Sequence, residues 1–218
     1  MRREGMRFLR LIWGLFLYAV GIVLIINANL GVSPWDVFHQ GLSSLLGITF
    51  GIASIVTGIA IVAVIAVMKE AVGFGTLMNM IMVGVFVDML MLGRMIPETH
   101  NFAAGLLMTI AGLLVIALGS FFYMGAGYGA GPRDSLMVVL TRRTGRQVGL
   151  CRAGVEGAAL ACGWLLGGHV GIGTVISAFG IGFAIQIVFT LLRFDVQAIR
   201  QETFAETCAR LKSFRRLS

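Results

Sequence analysis

The sequence predicts an all-α polytopic membrane protein: six transmembrane helices in two inverted three-helix repeats, each repeat carrying a short re-entrant or interfacial helix. Composition is the first reason. Of 218 residues, 58% are hydrophobic and 12% charged, too little polar surface to cover a soluble core. The second is the run of apolar segments, each near the roughly 20 residues that cross a bilayer. The third is that the chain matches itself, without a gap, at an offset of 98 residues.

The first unit, about residues 8–93, opens after the basic leader MRREGMRFLR with the apolar run Leu9–Leu30. A leader of this kind resembles a secretory signal. Because the run belongs to the repeat, it is read as a permanent span. GVSPWD, from Gly31 to Asp36, follows as a helix start: Ser33 caps, Pro34 suits the first helical position, and Asp36 faces the positive end of the dipole. The segment Trp35–Leu46 is roughly 18 Å long as helix, too short to cross comfortably. Next come the run Ile48–Met68, a Gly-x-Gly-Thr turn with Gly75 and Thr76, and the run Thr76–Leu92.

The second unit, about residues 101–193, repeats the order: Phe102–Met124, the break GAGPRD from Gly129 through Pro132 to Asp134, Arg133–Thr144, Val148–Leu166, a turn at Gly173 and Thr174, and Thr174–Leu192. Three spans per unit reverse the second copy in the membrane, the plan of many secondary transporters. If both short segments crossed, the units would be parallel. Glycines such as Gly14 and Gly21, on one face of the first span, are read as close-packing positions.

Net charge is +7, and with six spans and an inner amino terminus every Lys and Arg except Arg94 lies on or near the inner face. That is the positive-inside pattern, which places both termini in the cytoplasm of a bacterial inner membrane and explains the basic balance without nucleic acid. Residues 194–218 read as a basic amphipathic tail, with Val196, Ile199, Phe204, Leu211 and Phe214 at helical intervals suited to the inner leaflet. Cys151, Cys162 and Cys208 show no pairing or ligand spacing. His39, His100 and His169 fall near the outer surface in this arrangement, and their spacing makes no metal site.

NLGVSPWDVFHQGLS with GTLMNMIMVGVFVD, and GAGPRDSLMVVLTRRTG with LLGGHVGIGT, resemble the YczE/YyaS/YitT family of bacterial integral membrane proteins, nearest its YczE branch. The resemblance runs from about Arg7 to Leu192 and implies a multi-spanning inner-membrane protein. It carries no residue role.

Polar groups inside a bilayer are costly, so the few present are candidates for solute contact. Asp88, whose repeat partner is Gln186, lies about a turn from the outer end of its span. Arg152 and Glu156, one turn apart, either neutralise each other or serve a solute. Asp36 and Asp134 stabilise helix starts or touch a ligand, and Asn79, paired with Ser177, bonds a neighbouring helix or a solute. Gly31, Pro34, Gly75, Gly129, Pro132 and Gly173 are the break and hinge positions. A solute site is expected between the halves. No Ser/His or paired-carboxylate arrangement suits catalysis, so an enzyme is not expected, and neither is a cofactor or a metal. The implied partners are the lipid bilayer and an unidentified small solute, with a homo-oligomer allowed. Three functions remain: a secondary transporter or exporter, a substrate-capturing component that needs an energising partner, and a non-transporting scaffold or regulator.

Overall fold

In the computed structural model, the described residues are 2–70, 72–194, 199, 202–204 and 206–207, and they form eight α-helices and no strand. These are α1 (Arg2–Asn27), α2 (Pro34–Leu46), α3 (Phe50–Val67), α4 (Phe74–Leu92), α5 (Phe102–Gly125), α6 (Pro132–Thr144), α7 (Val148–Leu165) and α8 (Ile172–Leu191). Both ends of α2 and α6, and of α3 and α7, are offset by 98 residues, as are the first residues of α4 and α8. The third runs of the two units start two residues earlier than the sequence suggested, at Phe74 and Ile172. Thr76 and Thr174 therefore lie inside the first turn; Thr174 still caps it, its hydroxyl accepting the Gly171 N–H at 3.1 Å, whereas Thr76 does not.

Five helices, α1, α3, α4, α5 and α8, are long and apolar enough to cross a membrane. The protein is a polytopic helical membrane protein, and its outer surface agrees. Val175, Phe179, Phe183, Ile187 and Leu191 form an exposed apolar stripe along α8, and Ile52, Val56, Ile59, Val64 and Val67 do the same on α3. Buried hydroxyls close onto their own helices: those of Thr57, Thr109 and Ser120 donate to carbonyls four residues back at 2.8–2.9 Å. Each of these donors is thereby satisfied within its own helix.

Lipid offers no hydrophobic drive for helices to associate, so close packing has to supply it. The central pair shows how. On α1, Leu11, Leu15, Ala19 and Val23 are fully buried, and Gly14 and Gly21 sit against α5. A Cβ on Gly14 would come 2.8 Å from the Gly119 carbonyl, and one on Gly112 would come 2.8 Å from that of Gly21. Ascending residues of α1 thus meet descending residues of α5, so the two helices run antiparallel. The contacts are also reciprocal, because Gly14 and Gly21 shifted by 98 are Gly112 and Gly119.

A second reciprocal set ties each helix break to the opposite half. Gly173 N–H donates to the Leu30 carbonyl at 2.7 Å, and Gly75 N–H donates to the Tyr128 carbonyl at 2.6 Å. Gly31 (φ +100°) and Gly129 (φ +116°) hold the left-handed backbone that these breaks need. The Thr76 hydroxyl donates to the Ala130 carbonyl at 2.5 Å, bonding the break opposite instead of its own helix start.

α4 flanks α1 and α8 flanks α5, while α2 packs on α7 and α6 on α3. We call the end where α1 begins the near end and the other the far end. Part of the tail touches the near end: Glu202 N–H donates to the Gly127 carbonyl at 3.0 Å, and Phe204 stacks on Phe74. Val196, Leu211, Phe214 and Cys208, named in the sequence reading, lie outside the described residues.

Candidate functional site

α2 and α6 both begin beside one cavity of about 130 Å³ between the halves. Pro34 and Pro132 line it, so the two N-terminal, partly positive helix ends converge there. Neither N-terminus has a side-chain cap. Ser33, expected to cap α2, instead donates its hydroxyl to Asp36 Oδ2 at 2.5 Å.

Five of the six candidate site residues line this cavity: Asp36, Asn79, Asp134, Arg152 and Glu156. Asp88 does not. Its carboxylate accepts the Gly51 N–H at 2.7 Å and the Thr49 hydroxyl, so it ties α4 to the first turn of α3. The six break glycines and prolines divide likewise. Pro34 and Pro132 reach the cavity, whereas Gly31, Gly75, Gly129 and Gly173 form the reciprocal contacts between halves.

Asp36 is buried, 3% exposed, and its Oδ1 lies 3.7 Å from Arg133 Nη2 and 3.4 Å from His39 Nδ1. Arg133 also stacks over the Trp35 ring at 5.2 Å. The structure thereby moves two residues from where the sequence placed them. His39 is 1% exposed at the cavity wall instead of at the outer surface, because α2 turns its buried face toward the centre of the bundle. Arg133, counted as an inner-face charge, reaches across the halves to Asp36. Arg152 Nε donates to Glu156 Oε1 at 2.8 Å, the i,i+4 pair that the spacing allows. Asp134 receives the Tyr123 hydroxyl at 3.0 Å and is otherwise open to the cavity.

Tyr18, Trp35, His39, Tyr123 and Ser177 were not on the candidate list, yet all line the cavity. Only Ser177 had a signal in the sequence, as the repeat partner of Asn79. Tyr18 and Tyr123 look like ordinary packing residues on apolar runs, and Trp35 and His39 sit on a short segment whose inward face the sequence does not mark. Ser177 Oγ is buried without a hydrogen-bond partner, as are Asp36 Oδ1 and His39 Nδ1.

The two seams beside the cavity differ. α3 and α4 touch at Gly51 and Gly84, where a Cβ on Gly84 would sit 2.6 Å from the Gly51 carbonyl. The equivalent Gly149 and Gly182 on α7 and α8 face open space, and these two helices make almost no contact. On α7 only Ala159 and Gly163, toward the far end, are buried. Residues 142–150 are all exposed, so α7 stands apart from α8 at the near end.

A family described as of unknown function, DUF6198, matches residues 5–190. The chain belongs to the DUF6198 family. Its relatives fit that membership. The uncharacterized membrane protein YczE of Bacillus subtilis (strain 168) is 37% identical over 175 residues, which cover 79% of this chain and 80% of YczE. An uncharacterized protein of Haemophilus influenzae is 31% identical over 182 residues, covering 84% of this chain and 83% of the relative. Uncharacterized protein YyaS of B. subtilis is 24% identical, covering 82% and 90%. No solved structure matches the chain. The YczE-like resemblance read from the paired motifs thus holds.

Proposed function

We propose that this DUF6198 protein is a secondary transporter of a small solute in the bacterial inner membrane, working by alternating access between two inverted repeats. The observation that carries the reading is the unequal pair of seams: equivalent segments are packed at the far end and parted at the near end of one central cavity. Exchanging the two seam conformations would close the near end and open the far one, which is how an inverted repeat produces alternation.

Two further features support it. Antiparallel packing of α1 against α5 is what three spans per unit require; four spans per unit would leave the equivalent helices parallel. α7 is the sixth span in this reading, and it falls short of a simple apolar span because of Arg152 and Glu156. That pair neutralises itself at 2.8 Å and faces the cavity, the arrangement in which charge is tolerated at membrane depth. Residues 1–193 then form one transmembrane domain with α2 and α6 re-entrant, both termini are cytoplasmic, the near end is the inner end, and residues 194–218 are a cytoplasmic tail.

The test uses a single cysteine at the cavity-lining Ser54 in a background free of Cys151, Cys162 and Cys208. An impermeant maleimide should label Ser54→Cys from the cytoplasmic face in inverted vesicles and, more slowly, from the outer face in intact cells. Labelling from one face only, at every temperature and solute condition, overturns the carrier reading. Glu70→Cys should label only from inside and Gly47→Cys only from outside, which checks the sidedness.

A further inference from the structure

The charges of the cavity do not balance, and the imbalance lies on one residue. Three carboxylates line it, those of Asp36, Asp134 and Glu156, against two guanidiniums, those of Arg133 and Arg152. Each guanidinium has its own carboxylate, Arg133 with Asp36 at 3.7 Å and Arg152 with Glu156 at 2.8 Å. Asp134 has no ion pair of its own: its hydrogen bond comes from a neutral phenol, the hydroxyl of Tyr123 at 3.0 Å, and the nearby Arg152, whose charge it feels, is bonded to Glu156.

The repeat shows what is missing. Asp36 and Asp134 are equivalent, and the residue equivalent to Arg133 is Trp35. One half thus supplies a cation to the carboxylate of the other, while the ring at the equivalent position, Trp35, already carries that same Arg133. Tyr18 and Tyr123, packed edge to face at 6.2 Å, add two more rings. A carboxylate among aromatic faces is the chemistry that holds an alkylated ammonium group, by charge and by cation–π attraction. Ser177 Oγ, 1% exposed and without a partner, offers a hydrogen bond to a polar substituent.

The converging ends of α2 and α6 carry about half a positive charge each, which offsets at most the one carboxylate without an ion pair, so the choice of ion rests on the groups beside it and not on net charge. A free anion would meet the Asp134 carboxylate and no guanidinium without its own carboxylate. A zwitterion would have to take an arginine from a carboxylate that already holds it.

We propose that the cavity binds a small organic monocation, an amine or quaternary ammonium ion, with Asp134 as its counter-ion. This rests on the transporter reading above and names its solute class. The cavity, about 130 Å³, is small, which suits a compact head group such as tetramethylammonium.

Calorimetry on the full-length protein in lipid nanodiscs tests it, titrating tetramethylammonium chloride against sodium chloride. Saturable binding is expected, weakened at least tenfold in Asp134→Asn and less in Tyr123→Phe, with both variants melting near the wild-type temperature. As a control for folding, Asp134→Glu should retain binding. Undiminished binding in Asp134→Asn, no binding by the wild type, or tighter binding of glycine betaine or acetate would each overturn the proposal. The Ser54→Cys labelling needs no ligand, so two-sided access without cation binding would leave the carrier reading standing and remove only the solute class.

Discussion

Where α3 meets α4, Gly51 and Gly84 let the backbones touch, and Asp88 ties down the first turn of α3. Where α7 meets α8, Gly149 and Gly182 face open space, and the positions of Thr49 and Asp88 are taken by Gln147 and Gln186. Glycines at both seams mean that both can close to the same backbone distance. The latch differs. A hydrogen bond to a charged acceptor contributes about 1.5–3 kcal/mol, a neutral one about 0.5–1.5 kcal/mol. The far seam therefore holds more firmly, and on the transporter reading the protein rests with its near end open.

The comparison breaks most readily at the glycines. Gly51→Leu puts a side chain into the Gly84 backbone and should cost about 3 kcal/mol, the upper range for overpacking, whereas Gly149→Leu meets open space and should cost under about 0.5 kcal/mol. Thermal unfolding of the two variants in nanodiscs checks this, and equal losses would mean that the seams do not differ. Asp88→Asn comes next. It keeps the acceptor but loses its charge, so the far seam should loosen by about 1.5 kcal/mol and exchange amide hydrogens faster around Gly51.

The latch also shows how much of the protein was legible beforehand. Helix count, break positions and the 98-residue offset could be read because glycine, proline and aspartate at breaks act through local backbone geometry. Most of the candidate charges did converge, since a polar side chain on an apolar run has few places to go. Asp88 lies away from the cavity for a physical reason: a carboxylate on an apolar run looks the same in sequence whether it awaits a solute or bonds the start of a neighbouring helix. Arg133 and His39 were hidden by the same limit. Which face of a short helix turns inward is decided by α7 and α3 packing against it, not by the helix itself.

Smaller effects sharpen the contrast. Gln186→Glu restores the charged latch at the near seam and should favour its closure by about 1 kcal/mol, roughly a fivefold shift in population. Slower maleimide labelling of Ser54→Cys from the cytoplasmic face would register it. The smallest effect belongs to Arg152 and Glu156, which are partly exposed to the cavity. A double-mutant cycle with Arg152→Met and Glu156→Gln should give a coupling of about 0.3–0.5 kcal/mol in thermal stability, the range of helical i,i+4 pairs. A coupling several times larger would make the pair a structural brace of α7.

Alternation itself is read most directly by spin-label distances across both seams of one protein in nanodiscs. Ile52 and Met89 flank the far seam, Leu150 and Ile187 are their equivalents at the near seam, and all four side chains are exposed. The resting protein should show a short Ile52–Met89 distance and a long Leu150–Ile187 distance. Asp88→Asn combined with Gln186→Glu should populate the reverse, with the near distance shortening as the far one lengthens. Two seams that stay fixed, or that open and close together, would contradict alternating access.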